Sequence, residues 1–351
     1  MNISQHIKRL INRRFVISVL IVTASVIQLK AQSNCTNTLK EAEAKYENGV
    51  IEDIPTMLES CMNRGFTKEE KIRSYKLIIK SHLFNQDLKS AAAVMLDFLK
   101  DYPEYLPERA SDGADFIKLH DKFETLPFIS IGVLAGANIS NVGVMQSYAL
   151  NDDDIQSYES GSPGFQLGLQ FSRPMHEYID VNLGVMIERH SFEYTNESFG
   201  FSKLTLQERQ TRLSFPVSGT FVYKLGKWHP FVSLGVSPSY LLSDQATPSR
   251  IYTDNSNDDI TGTDVDMLPH RKRLDLSMLT ELGVRYKVPE GYLFFKAGYQ
   301  IGLLNQTNEA TRYDNPELMY IYYYLDDDFR INNLSFSFGY TYMFYKPKPK
   351  Q

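Results

Sequence analysis

The sequence predicts an α + β fold, in which a small α-helical region precedes an eight-stranded antiparallel transmembrane β-barrel. The first observation is a change of period: apolar residues recur every three or four positions up to about Pro103 and every second position after Pro127. These are the periods of helix and strand. The second observation is that eight alternating segments are joined by short and long connections in turn, as in membrane barrels.

Residues 1–33 have the layout of a secretory signal peptide. The apolar run Phe15–Leu29 follows four basic residues and precedes Ala31-Gln32-Ser33. Because this run is shorter than the ~20 residues that span a bilayer, we expect cleavage near Gln32 and not a membrane anchor. Cleavage would remove five basic residues and take the formal net charge from −5 to −10, which disfavours nucleic acid as a partner.

Residues 34–105 are predicted to form a periplasmic helical domain of two helix hairpins. Cys35 and Cys61 flank an Asn48-Gly49 turn signal, so an antiparallel hairpin would bring the two thiols together. In an oxidising compartment we expect them to form a disulfide, and two buried free thiols are the alternative. In the second hairpin, Thr67 and Glu70 form a capping-box pattern at the start of the helix Lys68–Phe84.

The order of characteristic residues along these hairpins resembles that of tetratricopeptide repeats. These residues are Tyr46 and Gly49 in the first hairpin, then Ala92, Ala93, Leu96, Leu99 and Pro103 in the second. Such repeats imply a concave surface that holds a peptide or another protein. A packed cap without a ligand is equally compatible with the pattern. Residues 106–126 are expected to connect this domain to the barrel.

Residues 127–346 are predicted to form the barrel, and residues 347–351 a C-terminal tail. The alternating segments are Phe128–Ile139, Phe165–Ser172, Val181–Phe192, Leu204–Tyr223, Phe231–Leu242, Leu274–Lys287, Leu293–Leu304 and Leu334–Tyr345. Connections after the second, fourth and sixth segments are short. Since short turns face the periplasm in such barrels, both chain ends are predicted there.

The two faces of these segments distinguish a membrane barrel from a soluble β-sandwich or lipocalin-like barrel. Aromatic positions lie opposite glycine and serine positions, so the apolar face points outward unless a second sheet covers it. Eight strands enclose only enough space for side chains, so we expect a filled lumen and no pore. The predicted polar network of the lumen comprises Glu188, Arg212, Glu281, Arg285 and Lys296.

The last long connection contains the apolar segment Leu318–Leu325. It is expected either to extend the strands beyond the membrane, which we favour, or to contact another protein. The candidate contact residues are Tyr320, Tyr322, Tyr323 and Tyr324.

No pattern in the sequence indicates a cofactor, a metal or a catalytic centre. The histidines lack metal-ligand spacing, and the acidic stretch Asp254–Asp266 does not follow the spacing of a calcium loop. A hydrolase would have to use Glu188, His190 and Glu193, which no serine motif accompanies. We therefore expect a protein that is not an enzyme and takes no cofactor.

Four segments of the barrel region resemble the PorT-like small outer-membrane β-barrels of Bacteroidota. These segments are Ile131–Asn138, Leu213–Val217, Pro230–Gly235 and Glu281–Tyr286, and the resemblance covers about residues 127–346. It implies an eight-stranded outer-membrane barrel, and some members of the family serve gliding or protein secretion. It supplies no catalytic residues.

The functional prediction is a non-enzymatic outer-membrane barrel that anchors a periplasmic protein-docking domain. Its expected partners are outer-membrane lipid and a protein of an export, gliding or assembly complex. One alternative is a surface-facing binding protein or adhesin, which would act through residues 244–270 and 306–328. The other is an outer-membrane hydrolase.

Overall fold

The computed structural model describes residues 34–63, 65–148, 155–198, 200, 202–253 and 258–350. The predicted signal peptide lies outside these residues. The chain divides into two compact units. The helical unit runs up to Leu126 and includes the C-terminal segment from Tyr345, and the barrel unit is Pro127–Phe344.

The described residues of the helical unit form five helices. They are α1 (residues 34–47), α2 (Ile54–Met62), α3 (Lys68–Phe84), α4 (Leu88–Asp101) and α5 (Ala114–His120). The predicted capping box is confirmed, because Thr67 Oγ1 accepts from the Glu70 amide while Glu70 accepts from the Thr67 amide. The predicted disulfide between Cys35 and Cys61 is also present, and it ties the start of α1 to the end of α2.

Two apolar clusters fill the helical unit. The first joins α1, α2 and α3 around Leu39, Ile54 and Leu58, and the second joins α3 and α4 around Ile79 and Phe98. Residues 106–126 are more than the expected connector. Phe116, Leu119 and Phe123 belong to the second cluster, because α5 presents one apolar face to α3 and α4.

Eight strands close the barrel unit into an antiparallel ring. In chain order the elements are β1 (Phe123–Gln146), β2 (Ile155–Ser160), β3 (Gly164–His176), β4 (Ile179–Ser198), β5 (Ser202–Ser214), β6 (Val217–Val222), β7 (Trp228–Tyr252), β8 (Ile260–Thr261), β9 (Val265–Asp266), β10 (Leu274–Val288), β11 (Gly291–Gly302) and β12 (Asp328–Pro349). The ring order is β1-β3-β4-(β5, β6)-β7-β10-β11-β12, and β12 pairs with β1.

The predicted single strand Leu204–Tyr223 is divided into β5 and β6 at Phe215-Pro216. Proline has no amide hydrogen to donate, so the ladder stops there. Both pieces pair with β4 on one side and β7 on the other, and together they fill one position in the ring. The short strands β2, β8 and β9 pair with β4 or β7 outside the ring.

β1, β4, β7 and β12 extend six residues or more beyond their predicted outer ends, where long connections leave. β10 begins at the predicted Leu274, and β11 ends at Gly302, two residues before the predicted Leu304. On the opposite end, short turns join β3 to β4, β6 to β7 and β10 to β11. Between the two ends lies a belt of outward-facing apolar side chains. Its exposed members include Leu167, Leu183, Ile187, Leu234, Met278, Leu282, Phe295, Phe336 and Phe338. The described helices include none that is both long and apolar enough to cross a membrane.

Candidate functional site

The lumen is filled by side chains along its whole length. Near the short turns, Arg285 donates to Asp180 Oδ2 at 2.6 Å and lies between two buried rings, 5.0 Å from the Phe231 centroid and 4.8 Å from that of Tyr292. Halfway along, Lys296 pairs with Glu281 at 2.6 Å. A cavity beside this pair measures about 20 Å³, which is large enough for a water molecule but too small for a solute.

A second polar group surrounds Glu188 further toward the outer end. Glu188 accepts from Ser214 and from Gln300, and Ser140 Oγ lies 2.9 Å from His190 Nδ1. All five of these side chains point into the lumen. Glu193, the third residue required by the hydrolase alternative, lies on the opposite face of β4 and accepts from Gln207.

Arg212 belongs to a third group. Its guanidinium contacts Asp275 at 3.3 Å, Gln210 at 2.7 Å and Gln306. The five predicted lumen residues are all directed inward, but they do not share one hydrogen-bonded network. Glu188 and Arg212 face each other across β4 and β5, yet their side chains bond to different partners. Lys296 with Glu281 and Arg285 with Asp180 form separate ion pairs nearer the short turns.

Beyond the apolar belt, the long strands form an outer crown with its own buried ion cluster. Arg271 is fully surrounded: its guanidinium contacts Glu208 at 2.6 Å, Asp326 at 2.9 Å and Asp244 at 3.4 Å. These carboxylates come from β5, β7 and the connection before β12. Sequence analysis missed this cluster, since Arg271 and Asp326 lie outside the strands.

The segment Leu318–Leu325 does not extend a strand, contrary to the favoured prediction. It forms the short helix α6 (Pro316–Tyr320) and then turns inward. Leu318, Tyr322 and Tyr324 pack against Tyr194 and neighbouring side chains of β5 and β7, and thereby close the outer end of the lumen. The reason is the hydrophobic effect: the segment buries Leu318, Tyr322 and Tyr324 within the crown instead of exposing them.

Burial also divides the four candidate contact tyrosines. Tyr322 and Tyr324 are each 3 % exposed, so they are core residues and are not accessible to another protein. Tyr320 and Tyr323 are 73 % and 51 % exposed, and their role in contact stays a prediction. Tyr323 also adopts the left-handed backbone conformation, with φ +55°, and its ring lies 4.2 Å from the guanidinium of Arg250.

The helical unit carries a buried carboxylate and an exposed apolar end. Although burial raises the pKa of Asp112, hydrogen bonds from Lys76 and Tyr105 lower it below its ordinary value. Burial and Asp112 in turn raise the pKa of Tyr105. At the turns of the two hairpins, Val50, Phe84 and Leu88 are exposed by half or more.

Within the part of the chain that the structure describes, no group of histidine, cysteine, aspartate and glutamate side chains is arranged to hold a metal ion. The Ca²⁺ candidate stretch Asp254–Asp266 lies partly outside the described residues. Two of its described carboxylates have partners within the protein: Asp264 accepts from Arg209 at 3.1 Å, and Asp259 accepts from the Tyr252 amide.

The closed antiparallel ring, the apolar belt and the polar lumen define a small integral outer-membrane β-barrel protein. A family model described as outer membrane protein beta-barrel domain matches residues 124–308. The chain belongs to this family. It is therefore a protein of the bacterial outer membrane, and its belt faces lipid.

Several solved structures are similar to this chain at low sequence identity. The attachment invasion locus protein Ail of Yersinia pestis is 13% identical, with 61% of this chain and 99% of Ail covered and a TM-score of 0.29. OprG of Pseudomonas aeruginosa is 12% identical over 62% and 97% of the two chains, with a TM-score of 0.32. Neisserial surface protein A is 13% identical over 61% and 97%, with a TM-score of 0.28. No curated protein matches the chain.

Proposed function

We propose that the barrel is a closed anchor, and that the helical unit which it holds docks on another protein in the periplasm. The filled lumen supports an anchor, since a solute has no path between the packed side chains. Both ends of the barrel chain, near Pro127 and Phe344, lie at the end of the short turns. In outer-membrane barrels such turns face the periplasm, which supports the same side for the helical unit.

The exposed apolar end of the helical unit is the observation that carries the docking function. Thr36 near the start of α1 donates to Glu70 near the start of α3, so the α1–α2 and α3–α4 turns lie toward the other end of these helices. There Val50, Phe84 and Leu88 expose apolar surface to solvent. Exposed apolar residues at one end of a small helical unit suit an interaction surface.

The resemblance to PorT-like barrels favours a partner in an export, gliding or assembly complex of the outer membrane. We infer that the chain itself catalyses no reaction. In support, the most suitable acid and base, Glu188 and His190, are 1 % and 3 % exposed inside the lumen. A substrate would have to pass the crown to reach them.

Co-purification tests the docking function. The full chain is extracted from its native membrane with a mild detergent, as wild type, as a Phe84→Ser/Leu88→Ser variant and as a Leu106→Ser control. Leu106 is also exposed but lies after α4, away from the two hairpin turns. We expect a defined partner with the wild type and the control, and its loss with the double variant.

A wild-type chain that emerges as a solitary monomer would contradict the proposal. So would a double variant that retains the partner in full. Protease resistance of the helical unit under oxidising conditions checks that the variants are folded.

Recognition at the cell surface is a second candidate function. It is favoured by the exposed rings of Tyr313, Tyr320 and Tyr323 on the connection between β11 and β12.

A further inference from the structure

A buried arginine at the outer end of the barrel lacks a counter-ion. Arg250, near the end of β7, is 2 % exposed. Its Nε and Nη2 donate to Ser202 Oγ at 3.2 and 2.8 Å, whereas Nη1 is buried and has no acceptor. Among the described residues, no carboxylate lies within 4 Å of this guanidinium. Since buried charges in proteins are normally paired, this guanidinium can take an anionic partner that the described residues do not supply.

The contrast with the other buried arginines of the barrel unit sharpens this point. Arg212, Arg271, Arg285 and Arg312 each contact at least one carboxylate at 3.3 Å or less. All four are buried inside the barrel unit. Arg250 lies at the tip of the crown, where the aligned ends of β5 and β7 reach the outer surface.

Two tyrosine rings lie beside this guanidinium. The ring centroids of Tyr323 and Tyr252 are 4.2 Å and 5.4 Å from its central carbon, within the range of cation–π attraction. Tyr323 is half exposed and has a φ of +55°, which is uncommon for a residue other than glycine. Residues in this conformation occur preferentially at ligand clamps. The Tyr323 ring therefore lies between the guanidinium of Arg250 and solvent.

We propose that Arg250, Tyr252 and Tyr323 form a binding site for an anionic sugar. The guanidinium would take the carboxylate, sulfate or phosphate group in the two-pronged geometry that arginine favours. The tyrosine rings would pack on the C–H face of the sugar ring, and their hydroxyl groups can donate to and accept from its hydroxyls. The exposed Tyr320 and Ile321 extend the same apolar surface. This site is independent of the periplasmic docking function.

Titration calorimetry on the full chain in lipid nanodiscs tests the site. The probes are trigalacturonic acid, a sulfated chondroitin disaccharide and purified lipid A phosphate, with neutral maltotriose for comparison. We expect saturable binding of at least one anionic probe and none of maltotriose. Arg250→Gln should weaken that binding about tenfold or more, as should Tyr323→Ala, because each removes one contact to the sugar.

Arg330→Gln is the matched control. Arg330 is an exposed arginine on the outward face of β12, so its removal changes the net charge equally but leaves the site intact. We expect its affinity to equal that of the wild type. Heat-dependent gel mobility verifies that each variant retains a folded barrel.

Competition identifies the source of the sugar. If lipopolysaccharide in the nanodisc blocks the soluble probes, the ligand belongs to the chain's own membrane, and if it does not, the ligand comes from outside the cell. The absence of saturable binding by all three anionic probes would overturn the proposal. Equal weakening by Arg330→Gln and Arg250→Gln would also overturn it, since the effect would then follow net charge alone.

Discussion

At the scale of single residues, the direction of a lumen side chain follows from the sequence but its partner does not. Glu281, Arg285 and Lys296 point inward as the alternation predicts. That Lys296 meets Glu281 while Arg285 meets Asp180 depends on the register between strands. Register is set by turn geometry and by the tilt of the strands, which a single alternating pattern does not contain.

The ion pair of Lys296 and Glu281 gives a prediction at this scale. Lys296→Met leaves the Glu281 carboxylate without its cation in the lumen, where only 12 % of that side chain is exposed. We expect the barrel to lose about 3 kcal/mol of unfolding free energy. Trp228 is the only tryptophan and lies on the barrel, so its fluorescence in a urea titration reports this unit alone.

Two further variants serve as controls. Glu281→Gln added to Lys296→Met should recover most of the loss, because the uncompensated charge is removed. Lys272→Met breaks the exposed pair with Glu309 and should cost under about 1 kcal/mol. If Lys296→Met and Lys272→Met had equal effects, the assignment of Lys296 to the enclosed lumen would be wrong.

At the scale of elements, one β-bulge explains why the sequence does not predict the buried side chains of the outer crown. The pairing of β5 with β7 shifts by one residue at Thr211/Arg212. Inward positions on β7 are therefore odd up to Leu241 and even from Asp244 onward. Continued alternation assigns Asp244 and Arg250 to the outer face, whereas the bulge turns both inward. Because alternation alone does not reveal this bulge, the sequence predicts neither the ion cluster around Arg271 nor the buried position of Arg250.

The cluster around Arg271 holds the connection between β11 and β12 against the strands of the crown. Arg271→Gln would leave the carboxylates of Glu208, Asp244 and Asp326 buried together without a cation. We expect the free energy required to open this connection away from the strands to fall by about 3 kcal/mol or more. Chymotrypsin cleavage after the tyrosines of residues 313–324 should accelerate accordingly, since cleavage follows the open population.

Arg273→Gln is the comparison for this variant, because Arg273 is an exposed arginine two residues further along the chain. Its cleavage rate should equal that of the wild type. A crown that resists chymotrypsin equally well with Arg271→Gln would show that the aromatic cluster alone closes the barrel.

At the scale of the whole molecule, the sequence predicts the fold class and the number of ring strands correctly. Period-two alternation is strong in this chain because one face meets lipid and the other a polar lumen. The inward-folded conformation of Leu318–Leu325 was not predicted, because its apolar residues are compatible both with a strand and with a loop that packs into the barrel. The membrane orientation follows only from the rule that short turns face the periplasm.

Cysteine labelling in intact cells tests the central account, a closed outer-membrane barrel with its short turns in the periplasm. Lys227→Cys lies in the short turn between β6 and β7, and Asp314→Cys lies in the long connection between β11 and β12. With a membrane-impermeant maleimide, we predict that Asp314→Cys is labelled in intact cells and Lys227→Cys only after the outer membrane is permeabilised. The reverse pattern, or equal labelling of both positions in intact cells, would contradict the account.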